Sequence, residues 1–276
     1  MTLSLSSVPD VLTRIASAND VAFGSYFLPR GAVRDALLGA ARRGAHVAVT
    51  LQADPYRNPF GGRCNADAAR ALRTAGADVS LLLSDSAPFH LKAAVCDGVA
   101  YLDDRNWTKR GPEIVVADDD RTDVRLVREA LAGHGGADAA LATRKDVALA
   151  REIGLIEGAR GAPVIVETER VATSPLTRAL QEHARAGAPT TLVVARASRR
   201  SRQETNALAQ LTADGVDVRV GGSNQKLALA GGTASIGSGN ATGASGRTAG
   251  QLEGGMLTRD RAIVGAVASA LAHDVR

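Results

Sequence analysis

The sequence predicts a layered α/β fold built twice within 276 residues, and three internal correspondences predict it. FHLKAAVCDGVAYLDDRNW (89–107) and SNQKLALAGGTASIGSGNA (223–241) are versions of one pattern. Asn224, Lys226 and Asn240 each follow His90, Lys92 and Asn106 by 134 residues. Upstream, Ala36-Leu37 and Gly44 in DALLGAARRGAHVAVTL stand 143 residues before Ala179-Leu180 and Gly187 in RALQEHARAGAPTTLVV. Downstream, Glu113 and Glu253 each precede a short apolar run, and Asp120-Arg121 lies 140 residues before Asp260-Arg261. The offsets change only between elements, as loop insertions and deletions require.

Taken in order, each half reads as strand, helix, strand, helix, strand, hairpin, strand, helix. Ser174-Pro175 is an N-cap followed by proline at the first helical position, and Gly187 is a helix stop that accepts a left-handed backbone. Leu149, Ile153 and Ile156 mark one face of a helix joining the halves. His134-Gly135-Gly136-Ala137 reads as the hinge, which sets the halves at 1–136 and 137–276.

The repeated segment is a hairpin suited to an anion. On a strand of side-chain period two, His90, Lys92, Ala94 and Cys96 share one face, and Leu91, Ala93 and Val95 share the other. Asp97-Gly98 supplies a two-residue turn, and Val99 to Leu102 returns as the second strand. The loop that follows presents Asn106. In the second copy Gly231-Gly232 makes the turn, and Asn224 and Lys226 take the seats of His90 and Lys92. An imidazole, an ammonium and a carboxamide converging on one point suit a phosphoryl group.

These residues resemble the phospholipase D superfamily. His90, Lys92, Asp97 and Asn106 fit its H-x-K-x4-D pattern and the asparagine downstream of it. The second copy keeps Lys226 and, in Gly237-Ser238-Gly239-Asn240, the G-S-x-N that follows. It departs from the pattern in having Asn224 for the histidine and Gly231 for the aspartate. The first copy departs in having Asp103-Asp104-Arg105-Asn106 where G-S-x-N is usual.

The resemblance implies two pseudo-symmetric halves, each a mixed β-sheet flanked by helices, facing each other across a central cleft. It implies phosphodiester hydrolysis or transfer without a metal or other cofactor, through a phosphohistidine on His90. Lys92, Asn106, Lys226 and Asn240 would hold the phosphoryl oxygens, and Asp97 belongs to the same motif. Asn224, Ser238, Glu113 and Glu253 complete the expected surroundings. The loops after the equivalent strands HVAVTLQ and TTLVVA carry Arg57 in one half and Arg199 and Arg200 in the other, and would flank the cleft.

Asn224 donates a hydrogen bond but carries no proton near neutral pH. Loss of a general acid costs ~10²–10⁴ in rate, most for poor leaving groups. The enzyme reading is therefore a slowed phosphodiesterase, and the alternative is a phosphate- or nucleic-acid-binding pseudoenzyme of the same fold. Asp104, Glu113 and Glu253 are candidate replacement acids if burial raises their pKa. His46, His134, His183 and His273 read as surface residues. Asp118-Asp119-Asp120 reads as a solvated turn favouring the next helix, not as a metal cluster.

Composition bounds the partners. The apolar fraction of 45% with 22% charged residues is that of an ordinary globular chain. No apolar run reaches the length of a membrane span, and MTLSLSSVPDVLTR lacks the regions of a secretory signal, so the expected compartment is the cytoplasm. A net charge of +4 allows a polyanionic partner, while 3% aromatic residues leave few stacking platforms. The expected substrate is a phosphodiester, lipid or nucleic acid. The degraded half fills the seat of a dimer partner, so a monomer is expected. Cys64 and Cys96 carry no disulfide framework, and Cys96 reads as a small buried hydrophobe.

Overall fold

A computed structural model describes residues 3–55, 59–83, 88–107, 114–197, 200–243 and 250–274. The first half runs β1 (Leu3–Ser6), α1 (Val8–Ser17), β2 (Asp20–Ser25), α2 (Ala32–Arg42), β3 (His46–Gln52), α3 (Pro59–Thr74), β4 (Asp78–Leu82), β5 (Ala93–Cys96), β6 (Val99–Asp103), β7 (Val115–Asp118) and α4 (Arg121–Leu131). The second runs β8 (Leu141–Arg144), α5 (Lys145–Glu157), β9 (Val164–Thr168), α6 (Pro175–Arg185), β10 (Thr190–Ala195), α7 (Arg202–Ala213), β11 (Asp217–Gly222), β12 (Leu227–Ala230), β13 (Thr233–Gly237), β14 (Leu252–Thr258) and α8 (Arg261–Asp274). The two runs agree element for element. Each carries one strand–helix pair, β1–α1 or β8–α5, ahead of the repeat predicted from sequence.

The sheets repeat one topology, β1-β7-β6-β5-β2-β3-β4 and β8-β14-β13-β12-β9-β10-β11. In each, three parallel strands adjoin four antiparallel ones, and the motif hairpin sits at the seam where β5 pairs β2 and β12 pairs β9. The hairpin turns have positive φ at both central residues, Asp97 and Gly98 in one and Gly231 and Gly232 in the other. That is the backbone a tight hairpin needs to follow strand twist.

Three apolar clusters explain the layering. Alternation along β5 sends Ala94 and Cys96 to a cluster with Ile15 of α1, Leu37 of α2 and Leu72 of α3. Ala93 and Val95 face the opposite way, into a cluster that both halves share. That shared core holds Val127 and Leu131 of α4, Leu141 of β8, Leu252 and Met256 of β14, and Ile263, Val267 and Leu271 of α8. Helix α4 packs on β2, β5 and β6 and also on β8, and α8 packs on β9, β12 and β13 and also on β1. The last helix of each half therefore lies between the sheets, touching both. A third cluster, with Leu149 and Ile156 of α5 beside Leu176, Leu180 and Leu211, covers the outer face of the second sheet.

Several expectations are corrected in detail. Strand β5 begins at Ala93, not at His90, because the preceding residues leave their own sheet to join β14: Phe89 bridges Leu252, and the His90 amide donates to the Leu252 carbonyl at 2.8 Å. The 134–137 segment is packed, not a free hinge. A Cβ on Gly135 would lie 2.5 Å from Arg144 Cγ and 2.8 Å from Leu252 Cδ2. Asp118 is not solvated but buried near Asp123, while Asp120 caps α4 through the amides of Thr122 and Asp123. His183 is half-buried, with Nδ1 2.9 Å from Thr190 Oγ1. Ser174 caps α6 reciprocally with Thr177, as its sequence predicts. Cys96 is buried, and burial pushes its thiol up to about 12. Among the described residues no helix is long and apolar enough to cross a membrane.

Candidate active site

The junction of the 88–92 segment with β14 sets His90 against the opposite half. Glu253, second residue of β14, lies 2.9 Å from His90 Nδ1 through Oε1, and its Oε2 is 3.8 Å from Lys145 Nζ. Lys145 starts α5 and donates to Thr242 Oγ1 at 3.2 Å. Lys92 Nζ is 2.9 Å from His90 Nδ1 and 3.1 Å from Nε2. Tyr26, just beyond β2, sets its ring edge-on to the imidazole with centroids 4.8 Å apart, and Lys92 Nζ lies 5.8 Å from the same ring. The row Lys145, Glu253, His90, Lys92 thus sets one buried carboxylate among three basic groups drawn from the two halves. Gly239 makes room for it, since a Cβ there would lie 2.8 Å from Glu253 Oε2.

Burial, with the charge of Lys92 next, lowers His90 to about 4, so its imidazole is neutral at neutral pH. Burial and then Lys226 hold Lys92 well below the ordinary lysine range. Glu253 stays below the usual carboxylate range: burial opposes its charge, but the His90 hydrogen bond and the neighbouring Lys145 and Lys92 outweigh it. A carboxylate on Nδ1 holds a proton there and makes Nε2, 3.1 Å from Lys92 Nζ, the unprotonated nitrogen of the ring.

The second motif adjoins the first. Lys226 and Asn240 line one hollow with Lys145 and Glu253. Lys226 is buried, and its Nζ donates to the Asn224 carbonyl oxygen at 2.9 Å and lies 3.4 Å from Glu169 Oε2. Asn224 has a φ of +73°, a left-handed backbone that asparagine tolerates better than most residues. Asn106 is half-buried, with Oδ1 buried and without a hydrogen-bond partner among the described residues. Arg105 crosses from the same loop to the carbonyl of Ser223 at 3.3 Å.

The structure therefore brings His90, Lys92, Glu253, Lys226 and Asn240 together. It does not bring Asp97 there. That carboxylate sits at the far turn of β5, exposed, accepting the amides of Asn19 at 3.1 Å and Asp20 at 3.0 Å, and it ties the hairpin to β2. Ser238 is buried with its hydroxyl accepting the Gly254 amide at 2.9 Å, so it holds β14 in place. Arg200 is bound to its own loop, by Glu204 at 2.8 Å and the Ala195 carbonyl at 2.7 Å, rather than presented to a ligand. Arg57, Arg199 and Glu113 lie outside the described residues.

Of the candidate replacement acids, Glu253 is charged and committed to His90. Burial, then Asp103, raises Asp104 to about 8, but its contacts are Ile114 and Arg105 rather than the row of bases. His46 pairs with Asp20 at 2.9 Å, at the Asp97 end of the sheet. Sequence reasoning missed Tyr26, Lys145 and Glu169. The 143-residue offset of the upstream elements pairs Tyr26 with Glu169, a signal present in the sequence. Lys145 had none, since only the packing of α5 on β14 brings it in.

No protein-family profile and no curated protein matches the chain. Solved structures do. Polyphosphate kinase from Porphyromonas gingivalis aligns with all of this chain and 50% of its own at a TM-score of 0.68 and 13% identity. The chain thus spans about half the length of that protein. Nuc from Salmonella typhimurium, a phospholipase D family member, and NucT from Helicobacter pylori each align with 48% of the chain, at 19% and 17% identity and TM-scores of 0.39; the alignments cover 93% and 94% of those proteins. This chain shares the fold of that polyphosphate kinase region and builds it as two consecutive copies of one topology, with asparagine in the second where the first has its histidine.

Proposed function

We propose that the chain is a metal-independent phosphodiesterase, hydrolysing or transferring at a phosphodiester through a phosphohistidine on His90. The observation that carries this reading is the half-buried imidazole with Glu253 on Nδ1 and Lys92 beside the ring. The Nε2 lone pair attacks phosphorus, and the ester oxygen opposite leaves. Positive charge developing on the ring is offset by Glu253, held charged for that purpose by Lys145. Lys92, Lys226, Asn240 and Asn106 are the donors proposed for the phosphoryl oxygens, and they would act more strongly on the transition state as its charge grows. Tyr26 walls one side of the imidazole and restricts its rotation.

A second reading is favoured by Lys226, which is already engaged by Asn224 and Glu169: a non-catalytic phosphate-binding protein of the same fold. The two separate in one assay. In EDTA, bis(p-nitrophenyl) phosphate has a leaving group that needs no acid. His90-dependent release of nitrophenol supports the enzyme. Release equal in wild type and His90→Ala rejects it and leaves the binding reading.

A further inference from the structure

We propose that Glu169 is the proton carrier of the second half, acting beside Asn224 in place of the absent histidine. The assignment comes from strand register and rests on the His90 reading above. In the first sheet Gly24 pairs with Ala93, and in the second Glu167 pairs with Leu227. Leu227 follows Ala93 by the motif offset of 134, so Glu167 occupies the seat of Gly24. The neighbouring strands agree, because Gly24 pairs with Thr50 and Glu167 with Val193. Two residues further on, Glu169 stands where Tyr26 stands in the first half.

The equivalence has chemical content. Tyr26 lies against His90 and Lys92; Glu169 lies against Lys226, next to Asn224. The second half has therefore lost an imidazole at one position and has a carboxylate at the adjoining one. Glu169, Arg170, Arg196, Ser223 and Asn224 line one open hollow, so the carboxylate faces space into which a substrate group fits. It is also electrostatically linked to the first motif, since its charge acts on Lys92. Glu253 is fully buried and committed to His90, and Glu152, which lines the hollow with Lys145 and Asn240, is pushed up to about 7 by burial; Glu169, 40% exposed and paired with Lys226, is the acid that faces the open hollow beside Asn224.

His90 Nε2 bonds to phosphorus as the P–O bond to the leaving group breaks, and an activated aryloxide departs as the anion. The Glu169 carboxylate, which pairs with Lys226, then takes a proton from water. The water oxygen bonds to phosphorus, the P–N bond breaks with its electron pair returning to Nε2, and the Glu169 carboxyl passes its proton to a departing alkoxide or to solvent, restoring the carboxylate. As a base for water a carboxylate is well suited; as an acid it acts best at low pH. With an activated aryl ester the first step needs no acid, so Glu169 is expected to govern the second.

Pre-steady-state release of nitrophenol from bis(p-nitrophenyl) phosphate in EDTA tests this. Glu169→Gln is expected to keep a burst of one nitrophenol per protein and to lose ~10²-fold or more in the turnover that follows. Glu169→Asp is expected to recover part of that turnover. Turnover in Glu169→Gln equal to wild type, or faster because Lys226 has been freed, would overturn the assignment while leaving His90 as nucleophile. Absence of any His90-dependent burst in the wild type would overturn the phosphohistidine reading and the role of Glu169 with it.

Discussion

Glu253 lies 2.9 Å from His90 Nδ1 although 163 residues of chain separate them, and the contact joins the second sheet to the motif of the first. Neither half contains a complete site. The pair also sets which imidazole nitrogen carries the proton, so the position of His90 depends on the geometry of β14.

Glu253→Gln should lower kcat/KM for an activated diester by ~10²-fold or more, because a neutral amide neither fixes the Nδ1 proton nor offsets the imidazolium. Gly239→Ala should act in the same direction without touching His90, by driving a methyl group against Glu253 Oε2. Steady-state kinetics with circular dichroism of each variant checks this. Unchanged kinetics in both would show that the pair is only structural.

The pH dependence follows from His90. With a pKa lowered to about 4 by burial and by Lys92, the imidazole stays neutral, and the burst with an activated diester should persist down to about that pH. The same shift bears on stability. A folded pKa below the unfolded value near 6.5 means that the unfolded chain binds the proton first. The contribution of His90 is therefore present above pH ~6.5 and is lost as pH falls toward 4. Thermal melting of His90→Gln should decline less than wild type over that range.

Asp123 gives the opposite sign. Burial first, then hydrogen bonds with Asp138 and Asp118, raises it to about 9, so the group of three carboxyls keeps a proton on Asp123 at neutral pH. A raised folded pKa stabilises at low pH, and that stability is lost as pH rises from the unfolded value toward 9; the lowered pKa of Asp138 offsets part of it. Asp123→Asn keeps a donor without the ionisation. Its melting temperature should be flatter than wild type between neutral pH and pH ~10, measured by calorimetry.

The shared core predicts that the halves unfold together. Trp107, the single tryptophan, is buried in the first half, with its indole donating to the Gly24 carbonyl at 3.2 Å. Leu271 lies in α8 of the second half and is fully buried in the core common to both. Leu271→Ala should cost ~2–5 kcal/mol and shift the Trp107 fluorescence transition as far as the circular dichroism transition. A Trp107 transition unmoved by the substitution would mean that the halves are independent.

Much of this was legible because a duplication leaves arithmetic behind. Constant offsets located both hairpins, and residue types marked Lys92, Asn106, Lys226 and Asn240 as candidate anion donors around His90. Asp97 was misplaced for a physical reason. A linear motif does not show that its ends lie at opposite ends of a strand, and five residues of extended chain between Lys92 and Asp97 span roughly 16 Å. Arg200 was misread because an arginine-rich loop looks free until Glu204 is seen beneath it. Asp118 looked solvated because the burial of a strand end depends on what packs across it. Lys145 belongs to tertiary packing alone, whereas Glu169 could have been found by carrying the upstream offset one strand further.

The most direct test of the account is a covalent one. Wild type mixed with bis(p-nitrophenyl) phosphate in EDTA, quenched in alkaline denaturant and mapped by mass spectrometry, should carry a nitrophenyl-phosphoryl group on His90, strengthened in Glu169→Gln and absent in His90→Ala. An unmodified His90 under conditions that release nitrophenol, or a phosphoryl group on another residue, would contradict the assignment of His90 as nucleophile.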